Sequence, residues 1–218
     1  MHELDKTRKD HENRVKVLHQ YFYRFPCHKP ITENALKVLK EMDYNPNVHN
    51  ESSFDHRLDR REDLKDLFLF FKDCLITVKE DLLMECDELK ITQAWANKSS
   101  AGQHHHWHNH QNSFLSAVFY LTDSPIPTTF AIGDIWSPQK NFSGNLDLNI
   151  RTHVAPILHR EETIAGNLVL FPSVVDHFVE PLHDHMEDRY TISFNTFPEG
   201  TIGSYASLSG LTIKVENS

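Results

Sequence analysis

The stretch His104–Tyr120, HHHWHNHQNSFLSAVFY, constrains this chain more than any other. Five of the 16 histidines fall within its first seven residues. His108 and His110 are separated by one residue and lead into the apolar, β-prone segment Leu115–Leu121. In a strand, residues i and i+2 point to one face. Two imidazoles can then be aimed at one point, which is what a metal ion asks of neighbouring ligands. A His-rich surface loop would satisfy the composition equally well. The metal reading gains weight from a histidine far downstream, His177.

The 218 residues suffice for one domain with a core of its own. The expected organisation is a single domain over 1–218, with 1–87 a helical support region and 88–216 a β core. A net charge of -9 argues against a nucleic-acid partner, because no basic field is present to neutralise phosphates. No apolar run approaches the ~20 residues a membrane span needs. The N-terminus MHELDKTRKDHENR is charged and lacks a signal-peptide apolar region. Cys27, Cys74 and Cys86 are odd in number and share no CxxC spacing, as expected of reduced thiols in a cytoplasmic protein. Neither nucleic acid nor membrane is the expected partner, and a homodimer is left open.

Along the chain, Arg14–Phe25 is β-branched and aromatic and predicts one or two short strands. Pro26 and Pro30 bracket a turn, and Thr32 reads as the N-cap of a helix over Glu33–Met42. Asp43–Asp59 lacks periodicity and reads as loop. Arg61–Leu83 is the clearest helix, because Leu64, Leu67, Phe68, Phe71, Leu75, Val78 and Leu82 recur at the spacing of one face. Such a stripe belongs to a core and lies across a sheet. Strands follow at Leu89–Asn97, Leu115–Leu121 (broken by Pro125–Pro127), Phe130–Ile135, Leu146–Val154, Gly166–Phe171, Arg189–Phe197 (closed by Pro198) and Leu211–Val215. Helices first and short strands after predict a mainly β fold, a jelly roll with N-terminal helices packed on one sheet.

In Gly166–His177, GNLVLFPSVVDH, a buried strand ends at Pro172, and a five-residue turn leads to His177. In a jelly roll the strands carrying His108, His110 and His177 can be neighbours, leaving one side of a metal open. An open facial site suits non-haem Fe(II) oxygenases, and three imidazoles also suit Zn, Cu or Ni. Twelve residues on, RYTISFN alternates. Arg189, Thr191, Ser193 and Asn195 share one face, and Tyr190, Ile192 and Phe194 the other, with the pattern inverting at Thr196. The apolar face should meet the helices and the polar face the cavity. A buried arginine needs a partner. Asp188 and Glu187 are local candidates, and a ligand carboxylate bound by the planar guanidinium, aided by the Thr191 hydroxyl, is the alternative.

The runs ITQAWANKSSAG…HWHNHQNSFLSAVFYL, AGNLVLFPSVVDHFVEP and EDRYTISFNTFPEGTIG, in order over residues ~90–205, resemble the 2-oxoglutarate/Fe(II) oxygenases of cyanobacteria, phages and proteobacteria. The resemblance implies a double-stranded β-helix fold and Fe(II), 2-oxoglutarate and O2 as cofactors. The reaction would oxidise a substrate, with succinate and CO2 as co-products. His108 matches the first metal ligand, His177 the distal one, and Arg189 with Thr191 the anchor of the co-substrate's far carboxylate. His110 stands where the wider superfamily has a carboxylate ligand. Two further stretches, Gly102-x5-His108-x-His110 and Gly166-x5-Pro172-x4-His177, resemble the cupin motifs without the cupin glutamate. A three-His cupin-like dioxygenase independent of 2-oxoglutarate, or a non-enzymatic metal-binding jelly roll, are therefore the alternatives. Asp176 would support a ligand rather than be one. His104, His105 and His106 read as alternative ligands or as lining of the mouth, and Trp107 as a cavity wall. Gln93, Asn97, Tyr120 and Asn195, with Asn112 and Ser113, are placed within reach of the co-substrate. Thr122–Asn145 reads as a specificity lid.

Overall fold

The computed structural model describes residues 14–17, 20–132 and 157–215. Among these residues, thirteen strands and two α-helices form two antiparallel sheets with helices against one of them. The N-terminal part contributes strands as well as helices: β1 (Arg14–Val17), β2 (Gln20–Pro26), α1 (Lys29–Lys40), β3 (Tyr44–Pro46), β4 (Glu51–Ser53) and α2 (Lys65–Asp81). Then follow β5 (Glu88–Ser99), β6 (His105–His108), β7 (Leu115–Tyr120), β8 (Ser124–Ile132), β9 (Ile157–Thr163), β10 (Asn167–Pro172), β11 (Asp176–Val179), β12 (Arg189–Ile202) and β13 (Leu211–Ile213). The larger sheet runs β1-β2-β10-β7-β12-β5-β4-β3, with β13 on β12, and the smaller runs β6-β11-β8-β9. This is a jelly-roll-like arrangement. Among the described residues no helix is long and apolar enough to cross a membrane.

The predicted stripe on α2 is the seam between helix and sheet. Leu67, Phe68, Phe71, Leu75 and Val78 are buried in one cluster with Phe119 of β7 and Ile192 and Phe194 of β12. The Phe71 ring meets Phe119 at 5.3 Å and Phe194 at 5.0 Å between centroids. A second core lies between the sheets, where Val118 and Tyr120 of β7 and Val169 and Phe171 of β10 meet Phe130 of β8. Because successive residues of β7 feed opposite cores, all six are buried, and the strand reads as a continuous apolar run.

Several expectations are corrected in detail. Helix α1 starts at Lys29, not after Thr32, with His28 at the N-cap and Pro30 in the first turn. Proline fits there because its missing N–H would have no intrahelical partner. The Thr32 hydroxyl bonds back to the His28 carbonyl from within the helix. The expected loop 43–59 contains β3 and β4, strands of three residues each, too short to show a period. Pro125 and Pro127 do not interrupt a strand but lie within β8, where the β8–β9 register shifts between Ser124 and Thr128. A bulge tolerates residues that cannot donate to the ladder. Pro198 likewise does not close β12. It falls between the last residue paired with β7, Asn195, and the first paired with β13, Gly200, so β12 has a neighbour on one side only at that point. The predicted strand Leu146–Val154, the end of the predicted strand Phe130–Ile135, and the later part of the expected lid lie outside the described residues.

Truncating Phe71 to alanine removes the ring that touches both β7 and β12. The Phe71→Ala protein is expected to lose about 3–5 kcal/mol of stability, measured by urea denaturation followed in far-UV circular dichroism.

Candidate metal centre

The site is built at the end of the smaller sheet. β6 pairs with β11, and His108 stands directly opposite His177. His110 lies just beyond β6, not on the strand with His108 as the i, i+2 argument assumed. Its placement comes from the backbone: the His110 N–H donates to the Ser173 carbonyl at 3.0 Å, tying the loop after β6 to the loop after β10. Asn112, at φ 52°, then turns the chain into β7. A polar knot beneath fixes both loops. Ser116 Oγ donates to Asn195 Oδ1 at 2.8 Å and lies 2.8 Å from Ser173 Oγ, which donates to Ser113 Oγ at 2.7 Å.

His108, His110 and His177 each offer a ring nitrogen, and these three atoms lie within 4.8 Å of one another. His108 Nδ1 is 2.8 Å from the His106 carbonyl, and His177 Nδ1 is 3.1 Å from the Val175 carbonyl. A carbonyl only accepts, so each Nδ1 carries the proton and Nε2 keeps its lone pair for a metal. Burial pushes the pKa of all three rings down, His110 to about 4 and His177 well below its ordinary value, with His108 repelling further charge on both. The three are therefore neutral at pH 7, as metal ligands must be. The donor set fits a divalent transition metal with a free face. Asp176 accepts a hydrogen bond from Asn109 Nδ2 at 2.7 Å and stands outside the group of converging nitrogens.

Arg189 enters the same cavity from β12. It is only 6% exposed. Its Nη2 donates to Thr128 Oγ1 at 3.1 Å, its guanidinium lies 5.5 Å above the Tyr120 ring, and its Nε has no partner. The local acids do not answer it: Asp188 lies 3.8 Å from Lys98, and no ion pair joins Arg189 to Asp188 or Glu187 among the described residues. Burial pulls the guanidinium's pKa down. A buried cation with an orphaned N–H calls for an anion.

The alternation along β12 has the structure the sequence suggested. Arg189, Thr191 and Ser193 line the cavity with the three histidines, while Tyr190, Ile192 and Phe194 join the helix-side core. The inversion at Thr196 coincides with a register shift between Asn195 and Thr196. Asn97 lines the cavity, donating from Nδ2 to Ser193 Oγ at 3.1 Å and leaving Oδ1 without a partner. Other expected contacts fall elsewhere. Gln93 is exposed, opposite Asn195 at the register shift in the β5–β12 pairing, and does not line the cavity. Asn195 and Ser113 are engaged in the polar knot. Tyr120 lies fully buried under Arg189, its hydroxyl donating to Thr128 Oγ1 at 2.8 Å. Trp107 is 48% exposed and stacks on Phe178, which itself lines the cavity. His105 lines the cavity and stacks on His108 at 4.5 Å, while His104 and His106 stand farther out. Thr128 was missed because Pro125 and Pro127 concealed the strand that carries it.

Residues 93–195 match the family model described as 2OG-Fe(II) oxygenase. No curated protein matches the sequence. Solved structures with the same fold include a prolyl-4-hydroxylase from Pseudomonas putida, 13% identical, covering 82% of this chain and 93% of that one with a TM-score of 0.56. HygX from Streptomyces hygroscopicus, solved with nickel, 2-oxoglutarate and hygromycin B bound, is 14% identical over 81% and 82% of the two chains, TM-score 0.60. The 2-oxoglutarate-dependent epimerase SnoN of nogalamycin biosynthesis is 12% identical over 82% and 79%, TM-score 0.64.

The depressed histidine pKa values set a pH dependence. The unfolded chain takes up protons near the ordinary histidine value of about 6.5, whereas the folded rings resist them. The resulting stability is full above that value and is lost as the pH falls toward about 4, where His110 titrates. Urea midpoints of the metal-free protein should decline over this window, and a His110→Asn variant should show a shallower decline.

Proposed function

We infer that the chain works as a non-haem Fe(II)- and 2-oxoglutarate-dependent oxygenase, with a double-stranded β-helix core over 88–216 and residues 1–87 supporting it within one domain. It is an oxidoreductase whose cofactors are Fe(II), 2-oxoglutarate and O2. We read its substrate as a small molecule or an amino-acid side chain, hydroxylated as the co-substrate is converted to succinate and CO2. The observation that carries the reading is the buried Arg189 guanidinium, its Nε without a partner and no ion pair on it among the described residues, in the cavity that the three histidines also line. A metal-binding jelly roll without a co-substrate would have no use for it, and a three-His dioxygenase independent of 2-oxoglutarate would leave it just as costly to bury. A cytoplasmic location belongs to the same reading and is supported by three free cysteines.

His108, His110 and His177 would hold the iron, His108 and His177 through Nε2, because backbone carbonyls fix their tautomers. Fe(II), when bound with O2 and 2-oxoglutarate, would supply the oxidising chemistry. Arg189 binds the far carboxylate of the co-substrate by two N–H donors, a geometry that suits a planar guanidinium. Tyr120 and Thr128 hold that guanidinium in place from below. Phe171, Phe178 and Val179 supply apolar wall beside the histidines, keeping water from the reacting centre. Three neutral ligands leave the iron one unit more positive than two histidines and a carboxylate would. This would favour an additional anion beside the three histidines, from substrate carboxylate, hydroxide or halide.

Succinate release from 2-oxoglutarate with Fe(II) and ascorbate tests the reading directly. Arg189→Ala should raise the 2-oxoglutarate KM roughly a hundredfold while Fe(II) affinity stays unchanged. Oxygen consumption without succinate would favour the three-His dioxygenase, and bound metal without any turnover a binding module. A His110→Asp variant should bind anions at the metal more weakly. Unchanged Fe(II) affinity and turnover in that variant would remove any special role for the third imidazole.

A further inference from the structure

More imidazoles stand in line with the metal centre than a three-ligand site uses. His49, in the turn between β3 and β4, stacks on His104 with ring centroids 4.1 Å apart and planes 19° from parallel. The His104 N–H donates to the His49 carbonyl at 3.1 Å, fastening that turn to the segment entering β6. His49 lies 6.1 Å from His106, and His106 lies 5.1 Å from His108. The series starts at the surface, since His49 is exposed, passes the half-buried His106 and ends on His108 of the centre, with the half-buried His104 stacked on His49 at its mouth. None of its ring-to-ring steps exceeds 6.1 Å.

The side chains of His49, His104 and His106 have neither an ion pair nor a side-chain hydrogen bond among the described residues. Packing does not account for them, because apolar rings would stack equally well and His49 faces water. What distinguishes an imidazole in such a position is its lone pair, a good ligand for divalent first-row metals. A hydrated divalent ion moving from water into a buried cavity faces a large desolvation cost if stripped in one step. Exchanging one water at a time for one imidazole divides that cost. The chain's net charge of -9 also raises the cation concentration near its surface.

We propose that His49, His104 and His106 form an entry route that passes a divalent transition-metal ion from the protein surface to His108. The proposal rests on His108, His110 and His177 being the metal centre. The ion keeps its charge throughout, and each step exchanges one neutral ligand for another, so no electron or proton is transferred. A residue on the path that is absent from the final coordination alters entry and exit by one factor. It therefore changes both rates and leaves affinity alone.

Stopped-flow mixing of the full metal-free chain with Co(II) at about pH 7.5 tests the route. Quenching of tryptophan fluorescence reports arrival, because the Trp95 ring lies 5.8 Å from that of His110. In His49→Ala and in His49→Ala/His104→Ala, association should slow, by roughly tenfold in the double variant, with dissociation slowed equally and affinity held within about twofold. The slowing should persist at high salt, since screening would abolish an effect of surface charge but not of neutral ligands. Unchanged association in the double variant would overturn the route. So would weaker affinity arising only from faster dissociation, which would make these residues supports of the centre. His177→Ala separates the two levels of inference: if it binds Co(II) as tightly as the parent, or the parent binds none, the centre itself is misassigned and the route goes with it.

Discussion

The position of His108 directly across an antiparallel pair from His177 is the constraint on which this protein depends. Side chains on a strand alternate with a period of two, so a slip of one residue between β6 and β11 would send one imidazole to the opposite face. Register is therefore equivalent to the metal site. β11 is held on both edges, by β6 on one side and by β8 on the other. β6 has only four residues and a register irregularity toward His105, too little to fix itself. The Ser173 carbonyl that receives the His110 N–H, and the serine knot below it, complete the alignment from the other sheet.

β12 connects this alignment to the rest of the core. One face presents Tyr190, Ile192 and Phe194 to the helix-side cluster, and the other presents Arg189, Thr191 and Ser193 to the cavity. Burial of the apolar face orients the polar one, so the free energy that docks α2 also holds a guanidinium away from water. That guanidinium is costly without an anion. Stability and ligand recognition thus meet in one strand, and the register shift after Asn195 ends the coupling where the cavity ends.

Much of this was legible in the residues. The stripe from Leu64 to Val78, the alternation from Arg189 to Asn195 and its inversion at Thr196 are local patterns that survive folding because one face of each element is buried. The convergence of His108, His110 and His177 was legible too, though by an incomplete argument. His110 is placed by a backbone bond to Ser173, a long-range contact that no spacing reveals. What escaped has similar causes. β3 and β4 are too short for periodicity, and two prolines at a bulge hid β8 and with it Thr128. Gln93 shares a sheet face with Asn97, but the face extends beyond the cavity, and a strand pattern carries no information on where a pocket stops.

The Thr128 hydroxyl, finally, limits what this end of the cavity will admit. Its oxygen already receives hydrogen bonds from Tyr120 and from Arg189, which occupy both lone pairs. Only its single hydrogen remains to be offered, and the neighbouring Nε of Arg189 is likewise a donor in want of an acceptor. An ammonium group arriving at these two residues would face donors alone and forfeit its own hydrogen bonds there, a penalty of about 1–3 kcal/mol per unsatisfied group, and its nearest unpartnered acceptor in the cavity would be Asn97 Oδ1. A carboxylate meets no such mismatch. The pair thereby favours an acceptor over a donor at this end of the cavity by hydrogen-bond direction as well as by charge.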